Sequence, residues 1–131
     1  MNIAFCIDDR GGMLFNRRRQ SRDSILLDKL VKKTTKLYIL PFSEKMMASF
    51  GIPYVVVSDP CDVPKGETLF VENCSVAALL PHASTLTVYK WNREYPGDFF
   101  LDLDLSKMLL ASTEEFAGKS HEKITEEIYK L

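Results

Sequence analysis

The chain has 131 residues and is 46% hydrophobic and 27% charged, with 17 Lys and Arg against 18 Asp and Glu and a formal net charge of −1. That length suits one domain, residues 1–131, whose core is large enough to stand without disulfides or a metal. The near-neutral total excludes a global field that would draw the chain onto nucleic acid or an anionic membrane.

Asn2–Ile7 is an apolar run that fits a central buried strand. It is too short for a secretion signal, and no stretch is long enough to cross a bilayer. Cys6, Cys61 and Cys74 are odd in number and form no C-x-x-C. Cys6 and Cys74, in strand-like or buried contexts, read as small core residues in a reducing cytoplasm. Residues 9–22 read as a long polar loop. A helix is expected from Asp23, with Ile25, Leu26, Leu27, Leu30 and Val31 as its apolar stripe and Asp23 or Ser21 as its cap. Residues 36–40 form a second strand. Ser43–Phe50 reads as a short helix capped by Ser43 and stopped at Gly51, and PYVVVS (53–58) as a third strand. Turns follow at 59–60 and 64–66. Strands are then expected at 68–71 and 86–91, with a brief helix at 75–80 between them. Residues 99–105 alternate, Leu101, Leu103 and Leu105 against Asp102 and Asp104, as a half-exposed edge strand does. Ile124, Ile128 and Leu131 recur at helical spacing and predict a C-terminal helix. Alternating strands and helices imply an α/β domain with a mostly parallel sheet and helices on both faces.

The unusual stretch is DDRGGMLFNRRRQSRD (8–23), with Arg17, Arg18, Arg19 and Arg22 within six residues. From Arg10 to Lys36 nine basic residues face only Asp23 and Asp28, whereas the chain from Glu94 onward is acidic. In parallel α/β sheets ligands sit beyond the carboxyl ends of the strands, and this loop begins where the first strand ends. Guanidinium forks match phosphate or carboxylate in pairs, and the following helix start adds positive potential. Gly11 and Gly12 let such a loop fold tightly or close. Asp8, Arg17, Arg18, Arg19, Arg22 and Asp23 are therefore the candidate ligand-binding residues. The bland alternative is a solvated loop whose arginines pair with acids of the same chain.

Other motifs carry less. Asp8 and Asp9 point to opposite faces of extended backbone and form no dyad. Asp102 and Asp104 share a face as solvent-facing carboxylates do. Ser21, Ser43, Ser58 and Ser75 stand in no G-x-S-x-G context, and His82 and His121 show no triad pattern.

The order of elements resembles dihydrofolate reductase. TLFVENCSVAALLPHASTLTVYKWNREYPGDFF, from Thr68, is similar to that family's strand, short helix, strand and acidic turn. GGMLFN resembles its active-site loop, RDSILLDKLVKKT the helix after it, and FSEKMMASFG the second helix. The stretch DDR-G-M-FN-RRQSRD also resembles a small bacterial family sometimes labelled ribonuclease Z. That label needs H-x-H-x-D-H, and two distant histidines cannot build a dinuclear zinc site. The reductase resemblance implies that Asp23, at the start of the first helix, is the carboxylate that orients or protonates a pterin; the same position also suits a cap. It implies a glycine pair where this chain has Val71-Glu72-Asn73-Cys74, so that Glu72 brings a side chain and a negative charge to the cofactor pyrophosphate. The basic turn after the second helix shrinks to Gly51-Ile52-Pro53, and Asp59 would face the extra phosphate of NADPH. The expectation is a small anionic or nucleotide-like ligand bound through the arginine loop without NADPH-dependent reduction. Active reduction of a pterin-like substrate and RNA binding or processing are the alternatives.

Overall fold

Side-chain alternation along the first strand sets the layers. The computed structural model describes residues 1–131. In β1 (Asn2–Ile7), Ile3, Phe5 and Ile7 enter one core cluster, while Ala4 and Cys6 pack into the other. The chain continues through β2 (Gly12–Phe15), β3 (Arg18–Arg19), α1 (Ser24–Lys32), β4 (Leu37–Ile39), α2 (Pro41–Ser49), β5 (Val55–Val56), β6 (Thr68–Phe70), β7 (Thr85–Lys90), β8 (Phe99–Phe100), β9 (Leu109–Phe116) and β10 (Ile124–Lys130). Short 3₁₀ helices cover Pro60–Asp62, Ala77–His82 and Leu105–Lys107.

Seven strands form the main sheet in the order β5-β4-β6-β1-β7-β10-β9. The pairings from β5 to β7 are parallel, and only β10 against β7 and β9 is antiparallel. Leu26, Leu27 and Leu30 of α1 and Met46 and Met47 of α2 bury on Ile39, Phe70, Tyr89, Trp91 and Ile124. On the opposite face Val76 and Leu79, at the 3₁₀ helix 77–82, pack over Ile3, Phe5, Leu86 and Val88. Helical cover thus lies on both faces, α-helical on one and 3₁₀ on the other. No helix is long and apolar enough to cross a membrane.

Several local expectations need correction. The C-terminal segment is strand β10, not helix. Ile124 faces the α-helical side, Tyr129 faces the other, and the buried Glu126 between them meets Lys33 of α1. Two open sheet edges to pair with outweigh a coincidental helical spacing. β9, whose residues are almost all exposed, is an edge strand with no apolar alternation to announce it; Ala111 is the extra residue opposite the Ile128–Tyr129 step. Residues 99–105 are strand only at Phe99–Phe100. Leu101, Leu103 and Leu105 do pack on the core, but Asp102 and Asp104 cap 3₁₀ turns, accepting from Ala77 N at 2.9 Å and Ser106 N at 3.0 Å. α2 starts at Pro41 with no side-chain cap, and Ser43 is buried inside it. Proline at the first turn needs no donor there, so the cap is dispensable.

The expected polar loop 9–22 is largely a hairpin. β2 pairs with β3 through Leu14–Arg19 and Phe15–Arg18, and with β8 on its other side. The two connecting residues, Asn16 and Arg17, have φ of 51° and 62°. Positive φ at both central positions matches the right-handed strand twist, and glycine is the residue favoured at the second of them. Arg17 holds that conformation against the steric preference of its Cβ. Substituting Arg17→Gly should therefore raise unfolding stability by about 0.5–1 kcal/mol in chemical denaturation.

Candidate functional site

The carboxyl ends of β1, β6 and β7 converge on one edge, and the charged residues there divide into a buried acidic layer and an outer basic one. Asp8, just past β1, is 2% exposed. Its carboxylate accepts from the backbone of Gly12 (2.7 Å), Arg10 (3.0 Å) and Tyr95 (3.0 Å) and from Gln20 Nε2 (3.2 Å). Burial pushes its pKa upward, but the Tyr95, Gly12 and Arg10 amides outweigh burial and hold it below the ordinary value. Asp8 therefore shapes the loop and has no lone pair aimed at a ligand. Gly12 is needed because a methyl there would lie 2.9 Å from Asp8 Oδ1 and 2.5 Å from Gln20 Nε2.

Arg19 is not free either. Two of its three guanidinium nitrogens grip Glu72, Nε at 3.0 Å and Nη2 at 2.9 Å from Oε2. Glu72 is 8% exposed, and burial pushes its carboxyl above the ordinary value while Arg19 pulls it down. The negative charge expected of Glu72 is thus answered within the chain, and what the pair presents beyond β6 is bulk. The remaining cations face outward. Arg17, Arg18, Arg19, Arg22 and Lys45 line one open groove with Gln20, Ser21, Phe42, Met46 and Ser49, and no acidic residue lines it. Arg17, Arg18, Arg22 and Lys45 make no ion pair. Phe42 and Phe50 lie under Arg19 and Arg22, 5.2 and 5.5 Å from ring centroid to guanidinium carbon, and help to hold those side chains in place.

Asp23 does cap α1, accepting from Ile25 N at 3.0 Å and Leu26 N at 3.3 Å. It does more. The backbone N–H groups of Lys119 (2.9 Å) and Ser120 (3.0 Å) donate to it, and His121 Nδ1 lies 2.9 Å from Oδ2. Burial would raise the carboxyl pKa; the Lys119 amide, the His121 imidazole and the Ser120 and Leu26 amides together bring it down to about 2. An ionised carboxylate only accepts, so Nδ1 of His121 carries a proton, and in the neutral imidazole Nε2 is then the acceptor. Nε2 meets Ser21 Oγ at 3.0 Å and Tyr95 Oη at 3.0 Å. The imidazole also stacks on Trp91, centroids 4.5 Å apart at 24°.

Ser21, half-buried, lines the basic groove and also a tight cleft beneath it, with Cys6, Met13, Phe70, Glu72 and Trp91. That cleft has room for little more than a water molecule. Among the six expected ligand residues, the structure gathers Arg17, Arg18, Arg19 and Arg22 on the groove and keeps Asp8 and Asp23 behind it as internal acceptors. Ser21 and His121 stand in no motif in the sequence and Tyr95 gives no signal, since the contact that joins Ser21 to His121 spans 100 positions.

No family model matches the chain, and no curated protein matches it. Among solved structures, dihydrofolate reductase from Enterococcus faecalis, complexed with NADP(H) and RAB-propyl, is similar with a TM-score of 0.67 at 16% identity. The match covers 98% of this chain and 94% of that one. The fold is thus that of dihydrofolate reductase, and the resemblance noted in the sequence holds along the whole chain.

Because folding lowers the Asp23 pKa from 3.8 to about 2, the stability it contributes is complete above about pH 4 and disappears as the pH falls towards 2. Asp23→Asn should cost about 2 kcal/mol at neutral pH, and the gap from the unmodified protein should narrow across that acid range in denaturant titrations. Gly118→Ala, which sets a methyl 2.5 Å from Asp23 Oδ2 and 2.8 Å from Ile124 Cδ1, should cost about 1–3 kcal/mol by overpacking.

Proposed function

We propose that this chain binds a small anion, a phosphorylated metabolite or nucleotide, in the groove between the β2–β3 hairpin and α2, without NADPH-driven reduction. One observation carries the reading: five cationic side chains line a single open groove free of acids, and four of them have no ionic partner. A surface that needed only solubility would intersperse the two signs. Asp8, Asp23 and Glu72 behind the groove are buried and already bonded, and the exposed Asp98, beside Arg17, lies outside the groove and accepts from Asn16 N at 3.1 Å. Guanidinium pairs suit phosphate or carboxylate oxygens, and the strained Arg17 at the hairpin tip fits a residue kept for contact and not for stability.

The cofactor half of the reductase fold argues against the dinucleotide. Where close backbone approach to a pyrophosphate calls for glycine, this chain has the buried Glu72 bridged to Arg19. Asp59 is engaged as the cap of the 3₁₀ helix that follows it, accepting from Cys61 N at 2.9 Å. Asp23, with its oxygens taken up by five donors, is poorly placed to orient a pterin. The residues present do not fit NADPH. Cys6, Cys61 and Cys74 are all free thiols, which suits a reducing cytoplasm.

Isothermal titration with inorganic phosphate and nucleoside mono- and diphosphates should show saturable binding that Arg17→Ala/Arg18→Ala/Arg22→Ala weakens roughly tenfold or more. NADPH fluorescence should be unaltered by the protein. Equal affinity in the triple variant, or quenching of NADPH, would overturn the assignment.

A further inference from the structure

We infer that Ser21, His121 and Asp23 form a nucleophilic serine site that hydrolyses a carboxylic ester carrying an anionic group. The three groups stand in the order such chemistry needs. Asp23 Oδ2 is 2.9 Å from His121 Nδ1, and His121 Nε2 is 3.0 Å from Ser21 Oγ. A serine hydroxyl is a weak nucleophile until a base in hydrogen-bond contact can take its proton, and the base needs a third group to fix its tautomer and plane. Asp23 does both, since a carboxylate saturated by donors leaves Nδ1 as the protonated nitrogen. The stack on Trp91 fixes the plane.

Burial separates this arrangement from an ordinary surface contact. His121 is 4% and Asp23 2% exposed, while Ser21 sits at the boundary, touching both the tight cleft and the open groove. The base is shielded and the nucleophile is reachable. Tyr95 Oη competes for the same Nε2 lone pair and lies 3.5 Å from Ser21 Oγ. Both hydroxyls stand 3.0 Å from Nε2, so the Tyr95 contact leaves Ser21 within reach of the base. A purely structural network would explain the clamp between α1 and residues 118–121, but that clamp is complete in the Asp23 bonds and does not require a hydroxyl at the groove floor.

The step balances without a metal or redox partner. Ser21 Oγ bonds to the ester carbonyl carbon as its proton passes to His121 Nε2, and the carbonyl electron pair moves onto oxygen. The Arg22 guanidinium, which lines the same groove as Ser21, is the donor assigned to the developing oxyanion. Collapse breaks the ester C–O bond, and the departing alkoxide takes the proton from Nε2. Water then repeats the sequence on the acyl-serine, releasing the acid and restoring Ser21. The anionic preference rests on the reading of the groove given above; the nucleophile itself does not.

Two measurements keep those parts distinct. A fluorophosphonate probe should add covalently to the folded protein on the peptide containing Ser21, with no adduct in Ser21→Ala at an unchanged melting temperature. His121→Gln should slow labelling roughly a hundredfold. Should that variant fail to fold, Ser21→Cys, which keeps the geometry, should gain reactivity with iodoacetamide beyond that of the three native cysteines. Turnover of mono-p-nitrophenyl succinate should exceed that of neutral p-nitrophenyl acetate roughly tenfold in kcat/KM. No adduct at Ser21, or an undiminished adduct in Ser21→Ala, overturns the nucleophile. Labelling with equal turnover of the two esters upholds the nucleophile and overturns the anionic substrate.

Discussion

The carboxylate of Asp23 is the point from which the functional edge is organised. It closes the start of α1 and at the same time holds residues 118–121, nearly a hundred positions later in the chain. Satisfying a fully buried charge with four backbone amides and an imidazole offsets a desolvation cost that would otherwise neutralise it. Everything around it follows from that demand. Residue 118 must lack a Cβ, His121 must face inward, and the hairpin β9–β10 must return beside β7 so that those amides arrive. The tie that fastens residues 119–121 to the start of α1 is also the tie that positions His121.

The same logic sorts the rest of the edge by sign. Asp8, Asp23 and Glu72 are each buried, and each is answered by donors of its own chain. With those acids enclosed, Arg17, Arg18 and Arg22 are left facing the groove without counter-charges, while Arg19 and Arg10 keep theirs in Glu72 and Glu94. A stretch that looks balanced in composition is thereby split in space into a negative interior and a positive rim. Local charge counting cannot see that separation, because it depends on which side chains the backbone points inward.

What was legible in the sequence was whatever is written locally. The buried parallel strands announced themselves as short apolar runs, α1 by its leucine stripe and its aspartate start, and the order of elements by its likeness to dihydrofolate reductase. The misreadings have physical reasons. β10 hides its period of two behind the buried Glu126 and has Ile124 and Tyr129 on opposite faces. β9 shows no apolar alternation, since pairing with β10 holds most of it and only Phe116, against Tyr89, reaches the core. The hairpin at 12–19 is turned by Asn16-Arg17 where glycine is the usual signal. Asp23 was readable as a cap from its neighbours, but not as the partner of His121, for contacts across the sheet leave no trace in spacing.

The β2–β3 hairpin belongs to a separate small sheet with β8. Its inner end is fastened twice, by Arg19 on Glu72 and by Gln20 on Asp8, so a disturbance at Asn16-Arg17 has two anchors to pass before it reaches the imidazole. The protruding tip is thereby insulated from the machinery behind it. Its length and residues can be rewritten, by natural drift or by grafting, while the buried contacts between Asp23 and His121 keep their alignment.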